Sequence, residues 1–251
     1  MTTEQVRLNE HPFSNPDEIN TPCGVLNLRS LQLCPEEVDG IQTSIVLNPA
    51  ATCPRWLRFL EEVTDADERL INFLQCAAGY ALTGHTKEQC MFYVYGPPGT
   101  GKTTFINAIL GISGAYGATT TMHTILCREW RLADDLYRLR DARFVSIEDD
   151  GRRMRKLDLL KLTGCDPICG ERRYREPFVY TPQFKVFVSG TPSKALLRNR
   201  RIRPIPFEVY IPKVKMNPSL DEELAEEYPG IFAWAARGAA RWFQKGLGTY
   251  E

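Results

Sequence analysis

The chain has 251 residues, 43% hydrophobic and 25% charged, and its 31 basic and 31 acidic residues give a formal net charge of zero. This composition excludes a wholly disordered chain and predicts a globular protein with one sizeable domain and a small satellite. Balanced charge also excludes a global basic field, so any contact with nucleic acid must come from local clusters of arginine and lysine.

The N-terminal third begins with a polar segment and continues with a helical one. Residues 1–20 have little periodicity and predict a tail or the end of a linker. Short apolar runs at 24–28 and 44–47 alternate with turn residues and predict small strands or an irregular arm. At 54–90 apolar residues recur at helical spacing, so we assign 21–90 to an N-terminal arm and helical subdomain.

The next part of the chain, residues 91–212, alternates strand-like and helix-like segments and predicts an α/β core. Its predicted elements are a strand at 91–95, a helix after a glycine-rich loop, a charged helix at 128–140, and strands at 143–148, 184–189 and 204–211. We therefore expect a mainly parallel sheet with helices on both faces. Residues 213–251 carry apolar residues at helical spacing and predict a C-terminal helical segment.

A phosphate-binding loop follows the first strand of this core. Residues 96–103 read GPPGTGKT and match the pattern G-x-x-x-x-G-K-[ST]. The glycines let backbone N–H groups turn toward an anion, Lys102 can reach the β- and γ-phosphates, and the Thr103 hydroxyl can ligate Mg²⁺. A helix that starts at Thr103 adds its dipole. The predicted nucleotide contacts are Gly96, Pro97, Pro98, Gly99, Thr100, Gly101, Lys102, Thr103, Thr104 and, farther along the chain, Thr191.

Hydrolysis of a bound nucleotide requires one carboxylate for Mg²⁺ and a second that orients or deprotonates water. The apolar run at 144–147 ends in Glu148, Asp149 and Asp150. This strand can lie beside the strand that precedes the loop. We assign Glu148 as the carboxylate on the Mg²⁺ side and Asp149 as the carboxylate that orients water. Asp150 is the alternative candidate for the role with water.

Two further segments complete the predicted site. The strand at 184–189 runs into a polar turn, where an ATPase places a sensor for the γ-phosphate, and the candidates are Ser189 and Thr191. Residues 198–203 include four arginines beside an apolar strand. Such a cluster is either a solvated turn or, in a ring-shaped ATPase, an arginine finger toward the neighbouring subunit's nucleotide. Arg200 and Arg201 are the predicted catalytic arginines.

The cysteines and the lengths of the apolar runs indicate where in the cell the protein is expected. The eight cysteines lack a C-x-x-C spacing, so we expect reduced thiols and no zinc site. No apolar run reaches the ~18 residues of a membrane span, and no signal peptide is recognisable. We therefore expect a cytoplasmic protein without a membrane partner.

These elements, in this order, resemble the superfamily III helicases of the AAA+ class, in particular the helicase module attached to phage, plasmid and poxvirus primases. The resemblance covers about residues 21–247. Besides the phosphate loop, it rests on strings at 53–60, 75–84, 162–166, 174–178, 181–185 and 200–207. At the sensor position, where the family usually has asparagine, this chain has Thr191.

The resemblance implies an AAA+ P-loop core that uses ATP and Mg²⁺ to drive a replicative helicase along single-stranded DNA. It also implies a homo-oligomeric ring, in this family a hexamer, a primase domain or subunit as partner, and a bacterial host or phage-infected cell. A hairpin between the acidic and sensor strands carries the DNA contacts of the family. The matching residues here are Arg172, Arg173, Tyr174 and Arg175, whose contacts with phosphates would be electrostatic.

Two other functions remain open on the sequence alone. One is a non-motor AAA+ initiator or loader that uses ATP as an assembly switch, which the threonine at the sensor position favours. A strand-displacement assay separates that function from a helicase. The other is a small-molecule kinase with the same loop, which the arginine cluster and the absence of an evident acceptor pocket disfavour.

Overall fold

The computed structural model describes residues 15–126 except 37, 39 and 49, and then 133–149, 163–164, 166–170, 176–191, 197 and 199–250. Within this part of the chain the strands are β1 (Glu18–Thr21), β2 (Gly24–Asn27), β3 (Leu33–Cys34), β4 (Met91–Tyr95), β5 (Gly117–Thr121), β6 (Phe144–Glu148), β7 (Ile168–Gly170), β8 (Phe178–Tyr180), β9 (Lys185–Gly190) and β10 (Ile202–Pro206). The helices are α1 (Pro54–Thr64), α2 (Glu68–Leu82), α3 (Lys102–Ser113), α4 (Met122–Leu126), α5 (Ala133–Arg138), α6 (Leu220–Glu226) and α7 (Tyr228–Lys245).

The central feature is a five-stranded parallel sheet in the order β10-β4-β9-β6-β5. The expected α/β architecture with a parallel sheet flanked by helices is therefore present, and it is compatible with a P-loop core. The expectation that the acidic strand β6 lies beside the loop strand β4 is wrong, because β9 separates them. The apolar run Val186, Phe187 and Val188 is buried on both faces of the sheet, which suits a central strand.

The two faces of the sheet contribute to two separate hydrophobic clusters. Side chains alternate along each strand, so neighbouring residues point to opposite faces. On one face Phe92, Phe144 and Phe187 pack with α1, α2, α3 and α7. On the other face Tyr93, Val145 and Val188 pack with residues of α4, the end of α5 and the β7–β8 pair.

Several predicted elements differ from the observed ones. Residues 44–47 form no strand, which leaves the irregular arm, the second of the two predicted alternatives. Of the charged helix predicted at 128–140 the structure describes α5, since 127–132 lie outside the described residues. Strand β10 starts two residues before the predicted strand and ends at Pro206; its two prolines are compatible with its position at the sheet edge. The C-terminal segment forms two helices, because Pro229 starts a new helix at the first turn of α7.

The domain boundaries proposed from the sequence stay predictions. Strand β1 spans residues 18–21 and therefore crosses the proposed border at residue 20. Ile19 from this strand, Phe92 from the sheet and Trp242 from α7 belong to one buried cluster. The arm, the sheet and the C-terminal helix thus share one core.

The start of α1 is stabilised from a distant part of the chain. Cys53 at its N-cap provides no side-chain hydrogen bond. Instead, the Glu227 carboxylate accepts hydrogen bonds from the backbone N–H groups of Arg55 and Trp56, each at 2.9 Å. A carboxylate at this end of the helix also interacts favourably with the helix dipole.

Helices α2 and α7 cross at two glycines. A Cβ at Gly79 would lie 2.0 Å from the Ala239 nitrogen, and one at Gly238 would lie 1.9 Å from the Gln75 carbonyl oxygen. Across the same seam the Gln75 amide donates a hydrogen bond of 3.0 Å to the Trp234 carbonyl. Backbone contact between the two helices therefore requires the absence of side chains at both positions.

In the described part of the chain the six cysteines are free. Burial raises the pKa of the Cys53 and Cys76 thiols to about 11 and that of Cys90 to about 12. These three thiols are therefore protonated and unreactive at neutral pH. None of the described helices combines the length and the apolarity that crossing a bilayer would require.

Candidate functional site

The loop between β4 and α3 has the backbone geometry that its glycines predict. Gly96 has a φ of 154°, and a Cβ there would lie 1.8 Å from the Phe207 carbonyl oxygen. Gly101 has a φ of 86° at the N-cap of α3. Only glycine meets both requirements without strain. Helix α3 begins at Lys102, one residue before the predicted start.

The Lys102 ammonium lies against its own loop. Its Nζ donates hydrogen bonds of 2.8 Å to the Gly96 carbonyl and 2.6 Å to the Pro97 carbonyl. Burial lowers the pKa of Lys102, because the charged form loses solvent. An anion in the loop would therefore meet a cation already oriented toward it.

The loop opens into a cavity of about 570 Å³ at the carboxyl ends of β4, β6 and β9. This volume lies within the range of small-molecule and cofactor sites. The predicted residues that line the cavity are Gly96, Pro98, Gly99, Thr100, Gly101, Lys102, Thr103, Thr104, Glu148, Asp149, Ser189 and Thr191. Sequence positions almost 100 residues apart thus meet at one site, while Pro97 belongs to the loop without lining the cavity and Asp150 lies outside the described residues.

The central position of β9 determines how these groups meet. Its last residues place a turn between the phosphate-binding loop and the acidic residues. The Asp149 N–H donates to the Ser189 carbonyl at 2.8 Å, and the Gly96 N–H donates to the Gly190 carbonyl at 3.2 Å. One turn is therefore bonded to both the loop and the acidic strand.

A second wall of the cavity was not predicted from the sequence. Arg55, Phe59 and Glu62 line it from α1, and Asn217 and Asp221 line it from the start of the C-terminal segment. The spacing of the three α1 residues places them on one face of a helix, which is the only sequence signal for them. Nothing local shows that this face is turned toward the loop.

Arg55 is held in this wall by two carboxylates. Its Nε donates to Glu223 at 3.3 Å, and its Nη2 lies 3.5 Å from Glu62. Its Nη1 is buried and finds no hydrogen-bond partner among the described residues. Arg55, which lines the cavity, therefore links α1 to α6 and retains one buried donor.

The structure does not bring Arg200 and Arg201 to the phosphate loop. They precede β10, whose first residue Ile202 is paired with Met91 at the start of β4, whereas the loop follows the end of β4. A five-residue strand spans about 16 Å. These arginines therefore lie near the start of β10, at the opposite end of the parallel strands from the loop. Arg201 Nη1 donates to the Thr163 hydroxyl at 2.9 Å, and Arg200 lines a separate cavity of about 220 Å³.

The predicted DNA-contacting segment is only partly described. Strands β7 and β8 pair antiparallel, with Gly170 opposite Phe178. Arg172, Arg173, Tyr174 and Arg175, which connect them in the sequence, lie outside the described residues. The pairing of the two flanking strands fits a hairpin, and the roles of the four residues stay predictions.

The donor set of the cavity fits Mg²⁺. No group of three or more histidine, cysteine, aspartate or glutamate side chains suited to a metal occurs in the described residues. Mg²⁺ is usually held by one or two carboxylates together with water and substrate phosphates, and so needs no such group. Glu148 and Thr103 are exposed and line the same cavity, which fits this mode of binding.

Comparisons with known proteins support the fold. No protein-family profile matches the chain. The chain is 30% identical over 82 residues, 32% of its length and 43% of the relative's, to the uncharacterized mitochondrial protein ymf21 of Marchantia polymorpha. It is also similar to three apo structures of the NrS-1 C-terminal region, with TM-scores of 0.57, 0.58 and 0.59 and identities of 11%, 12% and 14%.

These structural matches extend over most of this chain. They cover 76%, 82% and 89% of it, and 47%, 54% and 53% of the NrS-1 chains. The chain therefore spans about half the length of the solved proteins it matches. At this level of identity the likeness establishes a shared fold.

Proposed function

We propose that this chain is the ATP-hydrolysing module of a replicative DNA helicase of the superfamily III type. The observation that carries the proposal is the convergence of the phosphate loop, Glu148, Asp149 and the turn at Thr191 on one cavity. The alternative is that the loop is an ordinary glycine turn with an incidental lysine. That alternative does not explain why Glu148 and Asp149 line the same cavity as the loop. The helicase part of the proposal rests on the family resemblance of the sequence, with which the shared fold of the NrS-1 region is compatible.

Each group has a defined role in this reaction. The loop N–H groups and Lys102 bind the β- and γ-phosphates, while Thr103 and Glu148 would hold Mg²⁺. When bound, Mg²⁺ neutralises charge on the phosphate oxygens. Asp149 orients the attacking water and accepts its proton as the water oxygen bonds to the γ-phosphorus. The bond from the γ-phosphorus to the bridging oxygen breaks in the same reaction, and ADP leaves with that electron pair.

The first test is ATP hydrolysis with and without single-stranded DNA, with the oligomeric mass measured on the same sample. We expect DNA to stimulate turnover in a ring-sized species, because a motor couples the two. Glu148→Gln serves as the control that binds ATP without hydrolysing it. Absence of DNA-stimulated turnover in an assembled ring would contradict the proposal. Turnover without displacement of a strand from a tailed duplex would instead support the loader or initiator.

The position of Arg200 and Arg201 gives a separate prediction about neighbouring subunits. Because they lie far from the loop of their own chain, they would act on the nucleotide of the next subunit in a ring. We expect Arg201→Ala alone and Lys102→Ala alone to be inactive. An equal mixture should recover about a quarter of native turnover, since about that share of interfaces combines an intact loop with an intact arginine.

The mixing experiment needs one control for folding. Arg201 is bonded to Thr163, so its loss also removes a structural contact. The same mixture with Arg200→Ala keeps that contact and tests the second candidate. If neither mixture recovers turnover under conditions in which the mixed ring assembles, the arginines do not act between subunits.

A further inference from the structure

A buried tyrosine connects two parts of the cavity wall without lining the cavity itself. Tyr93 lies in β4, three residues before Gly96, and its side chain is fully buried. Its hydroxyl is 2.5 Å from the Thr191 carbonyl oxygen and 3.1 Å from Asp149 Oδ2. Both of these residues line the cavity with the phosphate loop. The hydroxyl therefore joins the predicted sensor turn to the carboxylate predicted to orient water.

Gly190 makes this contact possible. A Cβ at this position would lie 2.8 Å from the Asp149 Cβ and 2.9 Å from the Tyr93 hydroxyl. Real side chains do not approach so closely, so any other residue would separate the carboxylate from the tyrosine. Glycine at position 190 therefore leaves the space in which the Asp149 carboxylate contacts the Tyr93 hydroxyl.

The hydroxyl has one hydrogen and two acceptors. The Thr191 carbonyl can only accept, and an ionised Asp149 carboxylate can only accept. Burial and the nearby charge of Asp149 raise the pKa of Tyr93, so the group is a phenol at neutral pH. The two acceptors therefore share or exchange one hydrogen, and movement of the turn changes the hydrogen bond to Asp149.

We infer that Tyr93 is a positioning residue that holds the Asp149 carboxylate and couples its position to the turn at Thr191. This inference rests on the proposed ATP hydrolysis for its functional consequence. A bound γ-phosphate that displaces the turn would alter which acceptor receives the Tyr93 hydrogen. Tyr93 does not line the cavity, so it acts in this way through Asp149.

The test uses Tyr93→Phe, which removes one oxygen and keeps the ring. We expect the kcat for Mg·ATP hydrolysis to fall about 10- to 100-fold, because a catalytic group displaced by about 1 Å loses that much. The Kd for Mg·ATP should change by less than about twofold, since Tyr93 lies outside the cavity lining. A purely structural defect would lower binding and turnover together.

Tyr180→Phe is the matched control. The Tyr180 hydroxyl is also buried on this face of the sheet and donates to a backbone carbonyl, that of Leu136, at 2.7 Å. We expect a loss of about 3 °C in Tm for Tyr180→Phe, the effect of one neutral hydrogen bond in a protein of this size. The loss for Tyr93→Phe should be about 3 to 6 °C, because its hydroxyl also bonds a carboxylate. The kcat of Tyr180→Phe should stay at the native value. An equal loss of kcat in both variants would overturn the inference.

A double-mutant cycle with Asp149→Ala measures the link without any nucleotide. If Tyr93 is bonded to Asp149, the Tm losses of the two substitutions will not add. Additive losses would overturn the inference. If the protein hydrolyses no ATP under any condition, the proposed function is refuted. Non-additive Tm losses in that protein would still support the hydrogen bond between Tyr93 and Asp149. The two failures are therefore distinguishable.

Discussion

Replacement of Lys102 by alanine is expected to weaken Mg·ATP binding about 10- to 100-fold and to reduce hydrolysis at least ~100-fold. The ammonium is the only side-chain cation within the loop sequence itself. Its present partners are the Gly96 and Pro97 carbonyls, so it already lies at the concave side of the loop. A γ-phosphate offers this cation a stronger, charge-assisted hydrogen bond than a carbonyl does.

Titration with a fluorescent ATP analogue and measurement of phosphate release test this prediction. Lys245→Ala is the matched control, because it removes an exposed lysine at the end of α7, far from the loop in sequence. We expect this control to bind ATP and to release phosphate as the native protein does. If Lys102→Ala binds ATP as tightly as the control does, the loop is not the phosphate site.

The second large effect is expected for stability. Gly238→Ala should lower the free energy of unfolding by about 3 kcal/mol and Tm by about 10 °C. In an uncrowded helix the same change would stabilise by about 1 kcal/mol, because alanine has the higher helix propensity. Here the new methyl group would meet the Gln75 carbonyl at 1.9 Å. The obstacle is backbone, which cannot rotate away, so the sign of the effect reverses.

Thermal unfolding of the purified protein measures this change. Arg237→Ala is the neighbouring control, because Arg237 is exposed on the same helix and arginine and alanine have similar helix propensities. It should shift Tm by no more than about 2 °C. A Gly238→Ala variant as stable as the native protein would show that α2 and α7 do not cross at these glycines.

Much of the candidate site was predictable because its signals are local. The loop at 96–103 is recognised from its glycines, lysine and threonine, whose spacing sets the backbone conformation. The strand predicted at 91–95 forms with those bounds, and the acidic strand ends at Glu148 with Asp149 immediately after it. Continuous apolar runs that end in polar residues identify buried strands without knowledge of their neighbours.

Other parts of the site depend on contacts between distant segments. The sequence did not show that β9 lies between β4 and β6, because parallel strands pair through crossovers and no local pattern gives their order. It also gave no sign that Glu227 caps α1, 171 residues away from Trp56. Arg55 was missed for the same reason, since its ion pair with Glu223 joins elements at opposite ends of the chain.

The sequence by itself determined the glycine-rich loop after β4, the strand at 91–95 and the acidic end of β6, because each depends on residues a few positions apart. Only the tertiary structure decided that the turn at Thr191 lies beside Asp149 and that Tyr93 touches both. It also decided that Arg200 and Arg201 lie at the opposite end of the parallel strands from the loop. These relations follow from the order of the strands in the sheet, and the close crossing of α2 and α7 is a second feature of this kind. Both depend on packing between residues that the chain separates widely.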